Sequence, residues 1–277
     1  MRTLKHRRVL ITGAGSGLGR ELALCFAAAG WKVACTDVRP QAAEDTLAQI
    51  RQQQGDGLAA ALDVRSEAGF AAVVEQLDAQ WDGFDVLINN AGVATAGTVA
   101  DSPLEQWQWV LDINLLGCVR GARAAVPVLR RQGGGHIVNV ASFAGIANPP
   151  ALASYNVAKA GVIALSETLR FELDPDRIGV SVACPSFFQT DLLNSGDADA
   201  PESRSTAPQM TAITGKLMHN AQVTAGDVAR DILHAVETDR FMVISHPDAR
   251  SRHRLKRFAP ELYFRLARRA TAAFLKR

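Results

Sequence analysis

Short apolar runs alternate with longer stretches of helical period along most of this chain. The runs at 8–12 (RVLIT), 32–36 (KVACT), 58–62, 85–88, 136–140, 178–184 and 241–245 read as strands, the first five with Gly, Asn or Asp at one end or both. Between them the spacing predicts helices up to Ala29-Gly30, over 41–54, 66–81 and 103–131, from the Tyr155 region to about 174, and over 225–238. Gly133-Gly134-Gly135 closes the longest of these. Strands alternating with helices predict one parallel sheet with helices on both faces. Ligands of such sheets sit beyond the carboxyl ends of the strands. Gly13, Asp37, Asp63 and Asn89 all fall at those ends.

The first run leads straight into Gly13-Ala14-Gly15-Ser16-Gly17-Leu18-Gly19 and then a helix. This is the setting of a dinucleotide phosphate site in a Rossmann-type, doubly wound α/β fold. Glycines let the backbone approach a pyrophosphate, and the helix N-terminus offers free N–H groups and partial positive charge. Asp37, at the end of the second strand, suits the hydroxyls of an adenosine ribose and repels a 2′-phosphate, which favours NAD over NADP. Arg39 is of the type that pairs with such a phosphate. An ordinary turn residue is the alternative reading of Asp37.

A second constellation lies in SFAGIANPPALASYNVAK, 142–159. Tyr155 is one of two tyrosines in the chain, and Lys159 follows four residues later on what reads as one helix face. An ammonium beside a phenol favours the phenolate and lowers its pKa from about 10. The expectation is a proton donor and acceptor that works near neutral pH. Ser142 adds a hydroxyl across a loop holding Asn148-Pro149-Pro150.

With TGAGSGLG, Asp63, NNAG, Asn114, Ser142 and YNVAK in this order, the chain resembles the short-chain dehydrogenase/reductase family, single-domain branch, over about residues 6–245. The resemblance implies a catalytic set of Asn114, Ser142, Tyr155 and Lys159. It implies a cofactor site of Thr12, Gly13, Ser16, Gly17, Leu18, Gly19, Asp37, Val38, Arg39, Asp63, Val64, Asn90, Ala91 and Gly92, together with Tyr155 and Lys159. In this analogy Asn89 stabilises the sheet. Pro185, Ser186, Phe188 and Thr190 would hold the nicotinamide, with Ser186 where the family usually has glycine. Ser16 stands where NADP-preferring members often carry a basic residue, which again points to NAD. Ser142, Ala144, Tyr155, Phe187 and Phe188 would line the substrate pocket, which Phe143 and Ile146 could extend or leave for the core. Residues 190–222 would form the substrate lid, and Met210, Ile213, Leu217 and Met218 suit an apolar substrate. The implied activity interconverts an alcohol and a ketone or aldehyde by hydride transfer, with Tyr155 as acid and base. Lys159 would lower the Tyr155 pKa, and Asn114 would hold a water. The alternatives are an epimerase or dehydratase on this scaffold, or a non-catalytic cofactor-binding sensor or interaction protein. The intact catalytic set speaks against both. Family habit implies a homodimer or homotetramer.

Composition narrows the remainder. The 277 residues are 48% hydrophobic and 21% charged, ordinary for a globular chain. Residues 1–249 read as the catalytic domain and 250–277 as a basic extension. The latter has ten Arg or Lys against one acidic residue, Glu261; the chain's net +2 therefore leaves −7 on the remainder. Pro260 and Glu261 mark a helix start, and Leu255, Phe258, Leu262, Leu266 and Ala273 fall near one face. Such a helix suits packing on its own domain or a dimer mate, peripheral contact with an anionic membrane, or attraction of an anionic substrate such as an acyl carrier. Nucleic acid is a poor fit for an acidic body without a reading motif. Cys25, Cys35, Cys118 and Cys184 have no metal-ligand spacing and read as reduced core residues of a cytoplasmic protein. No metal is expected.

Overall fold

A computed structural model describes residue 4 and residues 6–186 and 221–275. Among these, seven parallel strands form one sheet: β1 (Arg8–Thr12), β2 (Lys32–Asp37), β3 (Gly57–Ala61), β4 (Val86–Asn89), β5 (Gly135–Val140), β6 (Ile178–Ala183) and β7 (Met242–Val243). Their spatial order is β3-β2-β1-β4-β5-β6-β7. The chain builds outward from β1 to β3, then crosses back to pair β4 against the free side of β1. The crevice between β1 and β4 is therefore the switch point at which doubly wound sheets bind ligands.

The helices are α1 (Gly17–Ala28), α2 (Pro40–Gln52), α3 (Glu67–Trp81), α4 (Leu104–Leu111), α5 (Gly117–Arg131), α6 (Ala144–Ala147), α7 (Ala153–Glu172), α8 (Ala225–Thr238), α9 (Pro247–Phe258) and α10 (Pro260–Leu275). Alternation along β1 explains why both faces are covered. Val9 and Ile11 join Leu22 and Phe26 of α1 and Ile232 and Val236 of α8 on one face. Leu10 joins Phe70 and Leu77 of α3, Leu129 of α5 and Leu169 of α7 on the other. The central strands β1, β4 and β6 are buried at every position and mostly apolar because neither face meets water.

The helix expected over 103–131 is there, but divided. α4 and α5 are joined by a π-helical turn, Asp112–Leu116, that carries Asn114. Two helices go beyond the expected pattern. α6 turns just after Ser142, and α9 begins at Pro247, ahead of the proposed 249/250 boundary. The last strand is shorter than 241–245: its ladder covers Met242 and Val243, because the chain turns into α9 at His246-Pro247. Most of the stretch 190–222, read as a lid, lies outside the described residues, as do Phe187, Phe188 and Thr190.

At the opposite edge from the glycine turn, Arg8 and Asp85 form a buried ion pair. The Asp85 carboxylate accepts from the Arg8 N–H at 2.9 Å and from Nε at 3.1 Å. The same guanidinium donates to the carbonyl of Asp82 at 2.8 Å and to Gln132 Oε1 at 2.6 Å. This pins the starts of β1 and β4 to the end of α5. Asp85→Ala strands the guanidinium without its counter-charge and should cost about 3 kcal/mol of unfolding free energy in urea titrations.

Candidate active site

The glycine turn is dictated by clearance. Gly13 has φ of 64°, and a Cβ on it would stand 2.8 Å from Ala91 Cα. A Cβ on Gly19 would stand 1.9 Å from the Gly13 carbonyl oxygen. Leu18 turns into the core, while Ser16 precedes α1 with extended backbone and makes no side-chain cap. The first-turn N–H groups around Gly17 thus lack a capping side chain, at the helix start that follows β1. That is a setting a pyrophosphate fits.

Thr12 and Asn90 work on the protein itself. Thr12 Oγ1 accepts from the N–H groups of Asn90 and Ala91, both at 3.0 Å. Asn90 Nδ2 donates to the carbonyls of Thr12 at 2.9 Å and Gly13 at 3.1 Å. The glycine turn and the NNAG turn are thereby one braced unit. Asn89 ties the sheet below, donating to Asn139 Oδ1 at 2.9 Å, and Asn139 donates on to Ser166 Oγ of α7 at 3.0 Å.

Asp37 is buried at the end of β2. Its carboxylate accepts from the N–H groups of Gly15 and Arg39, both at 3.0 Å. Arg39 also pairs with it at 3.4 Å and reaches Ser16 Oγ at 3.4 Å. Val38 beside them is 52% exposed. Asp63 caps the turn after β3, where the Arg65 side chain holds its carboxyl below the usual range. Val64 is buried, packed where a Cβ on Gly117 would meet it at 3.1 Å.

Two of the residues expected to handle a proton, Asn114 and Lys159, meet at Gly92. A Cβ there would lie 3.0 Å from Asn114 Oδ1 and 3.4 Å from Lys159 Nζ. Asn114 is fully buried and clamps Val93: Oδ1 accepts its N–H and Nδ2 donates to its carbonyl, both at 2.8 Å. Lys159 Nζ donates to the Val140 carbonyl at 2.8 Å and lies 5.8 Å from the Tyr155 ring centre. Ser142 Oγ accepts from the Ala144 N–H at 3.1 Å, and its hydroxyl is within hydrogen-bonding reach of Tyr155. Pro185 is buried at the end of β6, and the Ser186 N–H donates to His246 Nδ1 at 3.2 Å. Phe143 and Ile146 pack in the core with Val162, Cys184 and Ile244.

One electrostatic expectation is corrected. Burial raises the Tyr155 phenol above its ordinary value, and the influence opposing it is the Ser142 hydroxyl rather than Lys159. Burial also lowers the Lys159 ammonium, which donates one hydrogen bond to the Val140 carbonyl. Helical spacing placed both side chains on one face but could not weigh the loss of water around them. The sequence reading also missed Val93 and Val140. They contribute only backbone groups, which no residue type signals.

Residues 7–201 match the short chain dehydrogenase family. The chain is a short-chain dehydrogenase/reductase. It is 39% identical over 194 residues to the probable oxidoreductase EphD of Mycobacterium tuberculosis, in a match covering 70% of this chain and 33% of EphD. The chain thus spans about a third of that relative's length. It is 30% identical over 259 residues to a CLA biosynthesis dehydrogenase/reductase of Lactiplantibacillus plantarum, covering 90% of this chain and 91% of the other. A short-chain dehydrogenase/reductase from Burkholderia phymatum, solved in complex with NAD, superposes with a TM-score of 0.87 at 30% identity, covering 95% of this chain and 96% of that one.

Asn114→Ala would leave two buried backbone groups of Val93 without partners. The expected loss is about 2 kcal/mol in chemical denaturation.

Proposed function

We propose that this short-chain dehydrogenase/reductase is an NAD-preferring oxidoreductase that interconverts an apolar secondary or primary alcohol and its carbonyl. The observation that carries the reading is a chain of contacts: Asn114 and Lys159 meet at Gly92, the Tyr155 ring lies by Lys159, and the Ser142 hydroxyl lies by Tyr155. When bound, the nicotinamide supplies the hydride acceptor or donor. The chain's own residues handle everything else. Ser142, whose oxygen already accepts an N–H, donates its proton to the substrate oxygen. In the oxidative direction the Tyr155 phenolate takes the alcohol proton, and in the reductive direction the Tyr155 hydroxyl gives its proton to the carbonyl oxygen. Lys159, held by Val140, fixes the floor beneath that exchange, and Asn114 keeps the Gly92–Val93 backbone in place. A non-catalytic sensor would have no use for this set.

The buried Asp37 carboxylate supports NAD over NADP, since a 2′-phosphate there would face an anion only partly offset by Arg39. The apolar substrate reading rests on the composition of 190–222 with its Met210, Ile213, Leu217 and Met218. Exposed apolar side chains on α7, Phe171 at 82% and Val157 at 50%, support a homodimer or homotetramer. Free cysteines, of which Cys35, Cys118 and Cys184 are buried, fit a reducing, cytoplasmic setting.

The test is a spectrophotometric panel of alcohols of graded length and sterols with NAD and NADP, run beside Tyr155→Phe. Turnover should rise with apolar size and favour NAD. The variant should lose at least about a hundredfold in kcat while NADH fluorescence titration shows unchanged binding. Full activity in the variant removes Tyr155 from the reaction.

A second, peripheral role is favoured by the surface of the extension. Phe258 is 81% and Phe264 63% exposed among Arg254, Arg257, Arg265 and Arg268, an arrangement that suits an anionic lipid surface. Phosphatidylserine vesicles should sediment the full chain but not a Phe258→Ser, Phe264→Ser double variant. Equal recovery of both ends the idea.

A further inference from the structure

The family match stops at residue 201, so nothing in it accounts for α9 and α10. Their inner faces meet α6, the single turn between Ser142 and Tyr155. A helix of four residues leaves its last carbonyls without partners inside the helix. Here the extension supplies them. Lys256 Nζ donates to the Ile146 carbonyl, and the Tyr263 hydroxyl donates to the Ala147 carbonyl at 3.2 Å. Asn148, which follows in the left-handed region at φ of 52°, completes the junction. With its amide turned to suit its neighbours, it donates to the Ala144 carbonyl at 3.2 Å and accepts from Lys256 Nζ at 2.9 Å. An ammonium at a helix C-terminus also meets the negative end of the dipole.

The contact is built rather than incidental. Ala249 of α9 is fully buried and shares a core cluster with Phe143 and Ile146. Arg250 anchors the start of α9, its Nε donating to the Ile244 carbonyl at 2.6 Å. Lys256 lies 5.8 Å from the Tyr263 ring centre, and burial lowers the one and raises the other. On its far side α6 packs against α7, where a Cβ on Gly145 would meet the Lys159 and Ala160 backbone within 2.7 Å. A shift of α6 therefore presses on the helix that holds Tyr155 and Lys159.

We propose that Lys256 and Tyr263 are positioning residues for the reaction: by capping α6 they hold Ser142 in register with Tyr155, so the extension is part of the active-site scaffold. The claim about reaction rests on the oxidoreductase reading, whereas the claim about geometry does not.

The test uses the full-length chain with Lys256→Met, Lys256→Arg and Tyr263→Phe, and the exposed Arg254→Ala as control. Hydrogen exchange of peptides covering 143–152 should be about tenfold faster in Lys256→Met, near wild type in Lys256→Arg, and unchanged in Arg254→Ala. With 13Cζ-labelled tyrosine the chain gives two signals, and Tyr263→Phe assigns the one from Tyr155. That signal should move in Lys256→Met and return in Lys256→Arg. On the best alcohol from the panel, kcat of Lys256→Met should fall about tenfold with KM for NAD within about twofold. Unchanged exchange overturns the cap. Faster exchange with an unmoved Tyr155 signal and intact kcat overturns positioning, leaving a merely stabilising tail. If no alcohol or sterol turns over at all, the oxidoreductase reading fails, and the exchange and resonance results still decide the scaffold claim.

Discussion

Two N–H groups, from Asn90 and Ala91, donate to a single oxygen on Thr12, and the working edge of the molecule depends on that junction. It joins the turn after β1 to the turn after β4 across the place where strand order reverses. A parallel sheet aligns the ends of its strands but does not fix the turns that leave them. The Thr12 brace does so, and Asn90 doubles it by donating back to Thr12 and Gly13. Gly92, two residues on, is then set against Asn114 and Lys159. The proposed cofactor cradle and the proposed proton-transfer residues are thus held in common.

Around that junction the chain tolerates unusual burial of polar and charged groups. Tyr155 and Lys159 sit in the interior, each pushed toward its neutral form. The Lys159 ammonium finds one carbonyl, and Asn114 spends both ends of its amide on one residue. Groups held this way have few alternative geometries, which is useful where a proton must pass over a short and fixed path. The rigidity is local; at Lys159, Asn90 and Asn114 it comes from donating to a backbone oxygen rather than from the sheet alone.

Much of this was legible in the sequence. The strands announce themselves because RVLIT and its counterparts are apolar on both faces, and Gly13 and Gly19 are glycines because neighbouring backbone leaves no room for a Cβ. The set Asn114, Ser142, Tyr155 and Lys159 could be named from motif order, and the fold brings these residues to one edge. Less legible were features with no periodic signature. α6 is too short to show a period, and α9 buries Ala249 alone among its residues, so its Arg-rich sequence resembles a solvated tail. The direction of the Tyr155 shift needed knowledge of how dry the site is. The backbone partners Val93 and Val140 leave no trace in residue type.

The π turn at Asp112–Leu116 has a consequence for helical phase. Gln106, Val110, Asn114, Cys118 and Ala122 are all buried, four residues apart throughout. In an unbroken α-helix each such step drifts by about 40°, so the buried stripe would wind off the core before reaching Ala122. The extra residue in the π turn takes back roughly one residue's rotation, about 100°, and lets α4 and α5 face the same core. Asn114 sits at the point of correction. Its aim at Val93 is therefore tied to residue count along the helix, and a single deletion there would rotate one flank out of the core while preserving every side chain's chemistry.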